Sequence, residues 1–378
     1  MRIGIDARLL ERKMTGIGRY LDNLVKNISD HDSKNEYFLF TYNGLKRDSY
    51  QNINVVSTLF FLPSGIFQKI ISPVWMNFIL PRFLKKYKID ILFSPNQLLP
   101  LIKNSTKNII VINDLFHLVS KKFHAPIFRY YSNFFISHSV KKSDSIITIS
   151  ESSKADIHRL LGVPTDKIKV IYEAADEKFA PRDLGKDDIS RLRKKYNLPE
   201  RFILYVGVIE KRKNISGIFE IAKFLLKKID VPIVLFGRIG YGGEVYVKEI
   251  KKSENIFYGG FIEDDDLPYI YNLSSIFLFP SLYEGFGIPP LEAMQSGVPV
   301  VASNASSLPE VIGDGGIMFS PQEYELFADA LFWLLTNPEG RYTLVERGLA
   351  QAKKFDFKKT ARATVAAFED VYRTHNKK

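Results

Sequence analysis

The chain has 378 residues, which is enough for two domains of ordinary size. Its 46% hydrophobic and 25% charged residues are globular values and exclude a disordered or fibrous protein. The absence of cysteine excludes disulfides and thiolate metal sites and agrees with a reducing compartment. A net charge of +11 predicts an anionic partner, although charge alone leaves nucleic acid, acidic lipid and nucleotide phosphates open.

Neither a signal peptide nor a membrane-spanning helix is expected. Arg2, Asp6 and Arg8 interrupt the N-terminal apolar residues, and the sequence has no apolar run long enough to cross a bilayer. We therefore expect a cytoplasmic protein.

Residues 60–88 combine large apolar side chains with basic ones. They fit short helices with a basic edge that dock on anionic lipid at the inner face of the cell membrane. They fit equally well an ordinary core containing Trp75, Phe78 and Leu80 with solvated lysines, because hydrophobic periodicity does not separate the two interpretations.

Short apolar runs alternate with helical patterns through the first 150 residues, beginning with RIGID at 2–6. This alternation predicts βαβ units and a doubly wound, mostly parallel sheet. Gly16 and Gly18 precede a helical pattern, where backbone amides can meet a phosphate, although a simple tight turn explains them equally well. Asn113, Asp114 and His117 follow a strand pattern and are expected where the sheet opens onto a ligand.

The second half begins after a polar stretch at 177–200, which we interpret as the domain boundary. Gly207 ends a strong strand pattern, and the basic residues 211–213 follow where strand passes to helix. Their charges can converge on an anion at the carboxyl edge of the sheet. The acidic run at 263–266 is interpreted as the N-cap of the next helix and not as a metal site.

Residues 281–302 read as strand end, glycine-rich loop, helix, turn and strand. Gly285 and Gly287 can expose backbone N–H groups to a ligand. Glu284 lies in the loop, and Glu292 is expected in the opening turn of the helix, where the macrodipole favours an anion. Taken singly, each glutamate is better explained as a solvated or helix-terminal charge than as a functional residue. The complete string of residues favours a functional role for both.

That string, EGFGIPPLEAMQSGVPVVAS at 284–303, resembles the E-x7-E signature of the retaining glycosyltransferases of family 4. The resemblance extends to GIGRY at 16–20 and IEKRKN at 209–214. It implies an α/β protein of the GT-B fold, with two Rossmann-like, doubly wound parallel-sheet domains facing a cleft. Residues 1–176 would form the acceptor-binding domain, and residues 201–355 would form the nucleotide-sugar-binding domain. Residues 177–200 would form the linker between them, and a helix at about 356–375 would pack back on the first domain.

The resemblance also implies which residues form the site. It implies transfer with retention of configuration, without a metal or other cofactor. The positions that match catalytic residues of the family are Glu284, Arg212, Lys213 and Asp114. The positions that match donor-binding residues are Gly16, Gly18, Gly207, Phe261, Ile262, Gly285, Phe286, Gly287 and Glu292. Asn113 and His117, which lie beside Asp114 in the sequence, are expected to bind the acceptor.

Two positions depart from the family pattern. Asn113 replaces the family histidine and can hydrogen-bond a sugar hydroxyl, but it cannot accept a proton as an imidazole does. His117 is either its substitute or an ordinary loop histidine. Val208 stands where relatives often carry an arginine, and Arg238 is a candidate replacement.

The sequence therefore predicts a retaining hexosyltransferase that uses a nucleotide sugar. The variants IEKRKN and EGFGIPPLEAM resemble those of bacterial mannosyltransferases, so mannose from GDP-mannose is the first donor expected. A glycan or lipid-linked acceptor in bacterial polysaccharide, O-antigen or capsule biosynthesis is expected, and nucleic acid is not. A UDP-sugar-dependent transferase, a nucleotide-sugar epimerase of the same fold and a non-enzymatic basic lipid-binding module are the alternatives.

Overall fold

The computed structural model describes residues 1–11, 16–45, 50–59, 71–102, 104–119 and 126–375, without the side chains of 126–133 and 375. The chain divides into two compact units. The first unit comprises Met1–Glu173 and Asp356–Lys378, and the second comprises Ala174–Phe355. No helix among these described ranges is long and apolar enough to cross a membrane.

The first unit is built on a seven-stranded parallel sheet. Its strands are β1 Arg2–Asp6, β2 Glu36–Thr41, β3 Ile53–Ser57, β4 Ile91–Ser94, β5 Lys107–Val111, β6 Ser145–Thr148 and β7 Ile168–Val170. Its α-helices up to this point of the chain are α1 Gly16–His31, α2 Leu80–Lys86, α3 Phe116–Val119, α4 Pro126–Lys142 and α5 Glu151–Leu161. A π-helix at Trp75–Ile79 leads into α2. The strand order is β3-β2-β1-β4-β5-β6-β7.

The second unit repeats this architecture with six parallel strands. They are β8 Ile203–Val206, β9 Ile233–Phe236, β10 Ile256–Gly260, β11 Ile276–Phe279, β12 Val300–Ser303 and β13 Gly316–Phe319. Its α-helices are α6 Lys186–Tyr196, α7 Ile215–Leu226, α8 Glu244–Ile250, α9 Leu267–Leu273, α10 Ile288–Gln295, α11 Leu308–Ile312, α12 Tyr324–Thr336 and α13 Pro338–Ala352. The strand order is β10-β9-β8-β11-β12-β13.

Both sheets are doubly wound, as the alternating pattern predicted. The strand order reverses between β1 and β4 in one sheet and between β8 and β11 in the other. Every residue of β4, β6, β9, β11 and β12 is buried, because helices cover both faces of a parallel sheet. Ligands bind open α/β sheets at the carboxyl ends of the strands beside such a reversal, and this fixes where each unit can hold one.

The C-terminal helix α14, Phe357–His375, belongs to the first unit. Its Phe368 is fully buried and packs edge-on against Phe93 of β4, with 5.4 Å between ring centroids. Thr360 Oγ1 donates a hydrogen bond of 2.8 Å to the Tyr172 carbonyl, and Lys169 forms an ion pair with Asp370. The chain therefore returns to its first unit after completing the second.

The polar stretch at 177–200 folds as part of the second unit and contains α6. Asp266 anchors this helix: its carboxylate accepts hydrogen bonds from Arg191 at 2.9 Å, Lys195 at 2.7 Å and Tyr196 at 2.8 Å. Asp266 occupies the N-cap position of α9 but its side chain makes no capping hydrogen bond there. The interpretation of the acidic run as a side-chain N-cap is therefore wrong for Asp266, because the cations and the phenol of α6 bind its carboxylate instead.

We expect Asp266→Asn to lower the free energy of unfolding by about 1–2 kcal/mol at neutral pH, since charged hydrogen bonds at a partly screened site are lost. Burial alone would raise the pKa of Asp266, but its hydrogen bonds outweigh burial and lower the pKa from 3.8 to about 2. The stabilisation is therefore complete above the unfolded pKa and disappears as the pH falls through about 2. Urea unfolding of both proteins against pH measures it, and a difference that persists unchanged at the acidic limit would contradict the assignment.

Candidate functional site

Two turns meet where the strand order of the second sheet reverses. A 3-10 turn at Lys211–Lys213 follows β8, and residues 280–287 follow β11. The Leu282 N–H donates a hydrogen bond of 2.9 Å to the Arg212 carbonyl and joins the two turns. The basic cluster and the first glutamate of the E-x7-E string therefore lie side by side at the carboxyl edge of the sheet.

A buried ion pair forms the centre of this arrangement. Lys213 Nζ donates to Glu284 Oε1 at 2.6 Å, and both side chains are only 8% exposed. Ser281 Oγ donates to the same oxygen at 2.6 Å. The Lys213 ammonium also lies 5.2 Å from the centroid of the Phe279 ring, a distance at which a cation is attracted to the aromatic face.

The electrostatics of the pair favour an ionised carboxylate. Burial by itself would raise the pKa of Glu284, but the positive charges of Lys213 and Arg212 outweigh it and lower that pKa below its ordinary value. Burial lowers the pKa of Lys213, and the Glu284 charge opposes this. Each charge therefore makes the burial of the other tolerable, as a buried pair requires.

Arg212 is held beside the pair by two carboxylates. Its Nε donates to Glu210 Oε1 at 3.0 Å, and its Nη1 donates to the Tyr283 carbonyl at 3.3 Å. The same Nη1 lies 3.6 Å from Glu284 Oε2. Glu284 thus contacts two of the three cations of the turn and fixes two positive groups at one point of the sheet edge.

Asn214 locks the basic turn in place, and we had not assigned it a role from the sequence. It has a left-handed backbone with φ 56°, which Asn tolerates better than other residues with a Cβ. Its buried Nδ2 donates to the Pro280 carbonyl at 3.0 Å and to the Pro321 carbonyl at 2.9 Å. The position of an asparagine between a basic turn and an apolar helix is the sequence feature that indicates such a role. Its two acceptors, the Pro280 and Pro321 carbonyls, lie too far away in the sequence to be predicted from it.

The loop after Glu284 is fixed from the turn that follows β12. The Glu284 N–H donates to Ser306 Oγ at 2.7 Å, and Ser307 Oγ donates to the carbonyls of Glu284 at 3.0 Å and Phe286 at 2.6 Å. Gly287 has φ 126°, a conformation that residues with a Cβ rarely adopt. Gly285, Phe286 and Gly287 are all buried, and these hydrogen bonds hold the main chain of the loop in a fixed position.

Glu292 lies in the second turn of α10, not in its opening turn. The helix begins at Ile288, because Pro289 and Pro290 fit the first turn, where a backbone N–H is not needed. The Glu292 side chain is buried, and its Oε2 accepts a hydrogen bond of 2.8 Å from the Tyr271 hydroxyl. The position of this carboxylate therefore depends on α9 and not on the helix terminus.

Glycines form the neighbouring edge along β8, β9 and β10. The Gly207 N–H donates to the Phe236 carbonyl at 2.9 Å, and the Gly237 N–H donates to the Gly260 carbonyl at 2.8 Å. A Cβ on Gly237 would lie 1.8 Å from the Gly207 carbonyl oxygen, so the close approach requires glycine. Beyond this edge Phe261 is exposed and Ile262 is buried.

The acceptor positions predicted in the first unit follow β5. Asp114 Oδ1 accepts a hydrogen bond of 3.1 Å from the Phe116 N–H at the start of α3. The Asn113 carbonyl accepts one of 2.9 Å from Ser153 Oγ. Asn113 Oδ1 is buried and has no hydrogen-bond partner among the described residues, whereas His117 is half-buried.

Gly16 and Gly18 lie inside the first turn of α1, which begins at Gly16, so a simple tight turn does not account for them. Residues 12–15 lie outside the described part. Within the ranges described above, no group of three or more His, Asp or Glu side chains could hold a metal ion.

Comparisons with known proteins agree with this geometry. The model described as Glycosyltransferase Family 4 matches residues 14–179, and the one described as Glycosyl transferases group 1 matches 188–351. O-antigen chain mannosyltransferase B of Escherichia coli is 32% identical over 292 residues, which cover 76% of this chain and 76% of that protein. The serotype-specific mannosyltransferase WbdA of Escherichia coli is 34% identical over 272 residues, which cover 69% of this chain and 33% of WbdA.

The chain spans only about a third of the length of WbdA. Among solved structures, sucrose-phosphate synthase from Thermosynechococcus elongatus has a TM-score of 0.76 at 17% identity and covers 99% of both chains. That likeness shows a shared fold.

Two Rossmann-like parallel-sheet units, together with the two matched domain models, define a glycosyltransferase of the GT-B fold. The chain belongs to the glycosyltransferase family whose two domains are described as family 4 and group 1, as the E-x7-E string predicted. Another solved structure of this fold, Anabaena Alr3699/HepE, has a TM-score of 0.70 at 17% identity and was determined in complex with UDP-glucose.

Proposed function

We propose that this glycosyltransferase transfers mannose from GDP-mannose, with retention of configuration and without a metal, to a glycan or lipid-linked acceptor of a bacterial surface polysaccharide such as O-antigen. The observation that carries the reaction type is the buried Lys213–Glu284 pair with Arg212 at the sheet reversal. Mannose and O-antigen are supported by the names of the relatives described above.

The basic turn binds the donor diphosphate in this proposal. An ammonium group carries three N–H donors, and Glu284 accepts one from Lys213. The remaining donors and the Arg212 guanidinium stabilise the negative charge that grows on the diphosphate as its bond to the sugar breaks. Fixed cations thereby do what a divalent metal does in other transferases.

The two glutamates bind the rest of the donor. Glu284 uses Oε1 for Lys213 and Ser281, and its Oε2 accepts from a hydroxyl of the donor sugar, since a carboxylate has about four acceptor sites. Glu292, oriented by Tyr271, accepts from the ribose hydroxyls. The main chain of Gly285–Gly287 orients the sugar and phosphate, and Phe261 with Ile262 faces the base.

Transfer then proceeds by displacement on one face of the sugar. The acceptor hydroxyl oxygen forms a bond to the anomeric carbon on the side from which the diphosphate departs, and the bond from that carbon to the diphosphate oxygen breaks. The hydroxyl proton passes to the departing phosphate oxygen, so the products are the glycoside and the nucleoside diphosphate. Asn113, Asp114 and His117 bind the acceptor.

A donor panel tests this proposal directly. Thermal shift and donor hydrolysis are measured with GDP-mannose, GDP, UDP-glucose and UDP. Stabilisation by GDP and release of mannose from GDP-mannose are expected. A response to the UDP compounds alone would contradict the donor assignment. Isomerised nucleotide sugar without acceptor would indicate an epimerase, and no response to any nucleotide would overturn the proposal.

In the same assay, Glu292→Gln is expected to raise the KM for the donor by about 10- to 100-fold with a small change in kcat, because a charged hydrogen bond to the ribose is weakened. Glu325→Gln makes the same chemical change on the exposed surface of α12 and serves as the control. Equal KM values for the two variants would remove Glu292 from the donor site.

We also propose that the first unit docks on an anionic lipid surface. In the described part of 60–88, Trp75 and Leu80 are buried, but Phe78 is 52% exposed. Asn77 Oδ1 accepts a hydrogen bond of 2.6 Å from the Leu101 N–H, which brings exposed Leu101 and its neighbour Ile102 beside this helix. The basic residues near these apolar side chains are exposed Arg82, Lys85 and Lys86, and half-buried Lys142, whose ammonium donates to the Leu101 carbonyl. Apolar side chains that are flanked by cations match a surface of anionic headgroups.

Vesicle co-sedimentation tests the docking. Stronger binding to phosphatidylcholine vesicles that contain phosphatidylglycerol than to phosphatidylcholine alone is expected, and Phe78→Ser should weaken it roughly tenfold because the apolar contact is lost. Phe257→Ser, at an exposed position of the second unit, is the matched control. Binding that is independent of phosphatidylglycerol, or equal in both variants, would contradict the surface.

A further inference from the structure

A concave site of about 390 Å³ lies on the second unit, lined by the end of α12, the first half of α13 and the edge strand β13. Its size falls within the range of small-ligand sites. It does not include any residue assigned above to the donor or the acceptor.

The topology puts this site at the opposite end of the sheet from the Lys213–Glu284 pair. Helix α12 follows β13 and runs back across the sheet, so Trp333 near its C-terminus lies toward the amino ends of the strands. Ile317, another lining residue, is the second residue of β13. The site is therefore separate from the reaction edge at the carboxyl ends.

An exposed indole ring is the main feature of the site. Trp333 is 44% exposed and is the single tryptophan of the second unit. Gly340 packs against the ring: a Cβ at this position would lie 2.3 Å from it. Asn337 Oδ1 accepts a hydrogen bond of 2.9 Å from the Gly340 N–H and fixes the start of α13. The ring is thus supported on one side and open on the other.

Polar side chains border the ring along one face of α13. Glu339, Thr343 and Arg347 follow each other at intervals of four residues, which places them on the same side of a helix. All three are exposed, and within the described ranges neither Glu339 nor Arg347 takes part in an ion pair. An aromatic platform is therefore combined with one anionic and one cationic hydrogen-bonding group.

We propose that this surface is a second glycan-binding site, which holds a neutral saccharide unit of the acceptor or product chain away from the reaction edge. The apolar C–H face of a pyranose packs on the Trp333 ring, while its hydroxyls donate to the Glu339 carboxylate and accept from the Arg347 guanidinium. The opposite charges of these two groups disfavour a strongly charged ligand. The inference rests on the glycosyltransferase class and not on the identity of the donor sugar.

Tryptophan fluorescence reports on this site almost selectively. The chain has two tryptophans, and Trp75 is fully buried in the first unit. Titration with mannotetraose and with maltotetraose should give a saturable fluorescence change with at least one of them, at an affinity on the order of 1 mM, as expected for a shallow neutral site.

Calorimetry on Trp333→Ala should show at least tenfold weaker binding, and Arg347→Met should show weaker binding with Trp333 intact. Tyr342→Ala removes a 67% exposed aromatic ring from the same helix outside the site and should bind normally. Donor hydrolysis and the nucleotide thermal shift should be unchanged in Trp333→Ala, since the ring lies far from the reaction edge.

No saturable change with either tetrasaccharide, or equal binding by Trp333→Ala and the parent protein, would overturn the inference. So would loss of the nucleotide thermal shift in Trp333→Ala, which would make the ring structural. Because the nucleotide measurements are made on the same samples, failure of this site is distinguishable from failure of the proposed function.

Discussion

The second unit depends on a buried ion pair whose two charges come from separate turns of the sheet edge. Taking an ammonium and a carboxylate out of water costs several kcal/mol for each ion, so neither Lys213 nor Glu284 is tolerable there without the other. Ser281 donates a further hydrogen bond to the Glu284 carboxylate, and Arg212 forms a second ion pair with it. Asn214 prevents the basic turn from moving away from it. The side chains of Lys213, Arg212 and Glu284, to which we assign the reaction, are therefore held in fixed positions.

The topology explains why the pair lies at the sheet edge where we propose that the donor binds. Strands β8 and β11 are neighbours only because the strand order reverses between them, and open α/β sheets bind ligands at the carboxyl ends of the strands beside such a reversal. On one side, glycines allow neighbouring loops to approach closely, because a Cβ on Gly237 would collide with the main chain of Gly207. On the other, α10 brings Glu292 to Tyr271. The same sheet thus brings cations, carboxylates and glycine main chain together in one region.

The sequence alone predicted the doubly wound sheets, because buried parallel strands appear as short apolar runs such as β11 and β12. It also predicted that Lys213 and Glu284 lie in loops at the carboxyl edge of the sheet, since each belongs to a segment that links a strand to the next helix. It did not predict the Asn214 contacts, the Tyr271 partner of Glu292 or the anchoring of α6 by Asp266. Those contacts join segments that are distant in the sequence, and the hydrophobic pattern of a single sequence does not indicate which distant segments become neighbours.

Transfer turnover in a double-mutant cycle of Lys213→Met and Glu284→Gln tests the central claim most directly. Each single change should cost about 3–5 kcal/mol in the free energy of unfolding, because it leaves one buried charge uncompensated, and the double variant should regain most of that stability. Turnover should nevertheless remain reduced by at least about 100-fold in all three variants, since the cation that stabilises the leaving diphosphate is missing or misplaced. A double variant that recovers turnover together with stability would contradict the account.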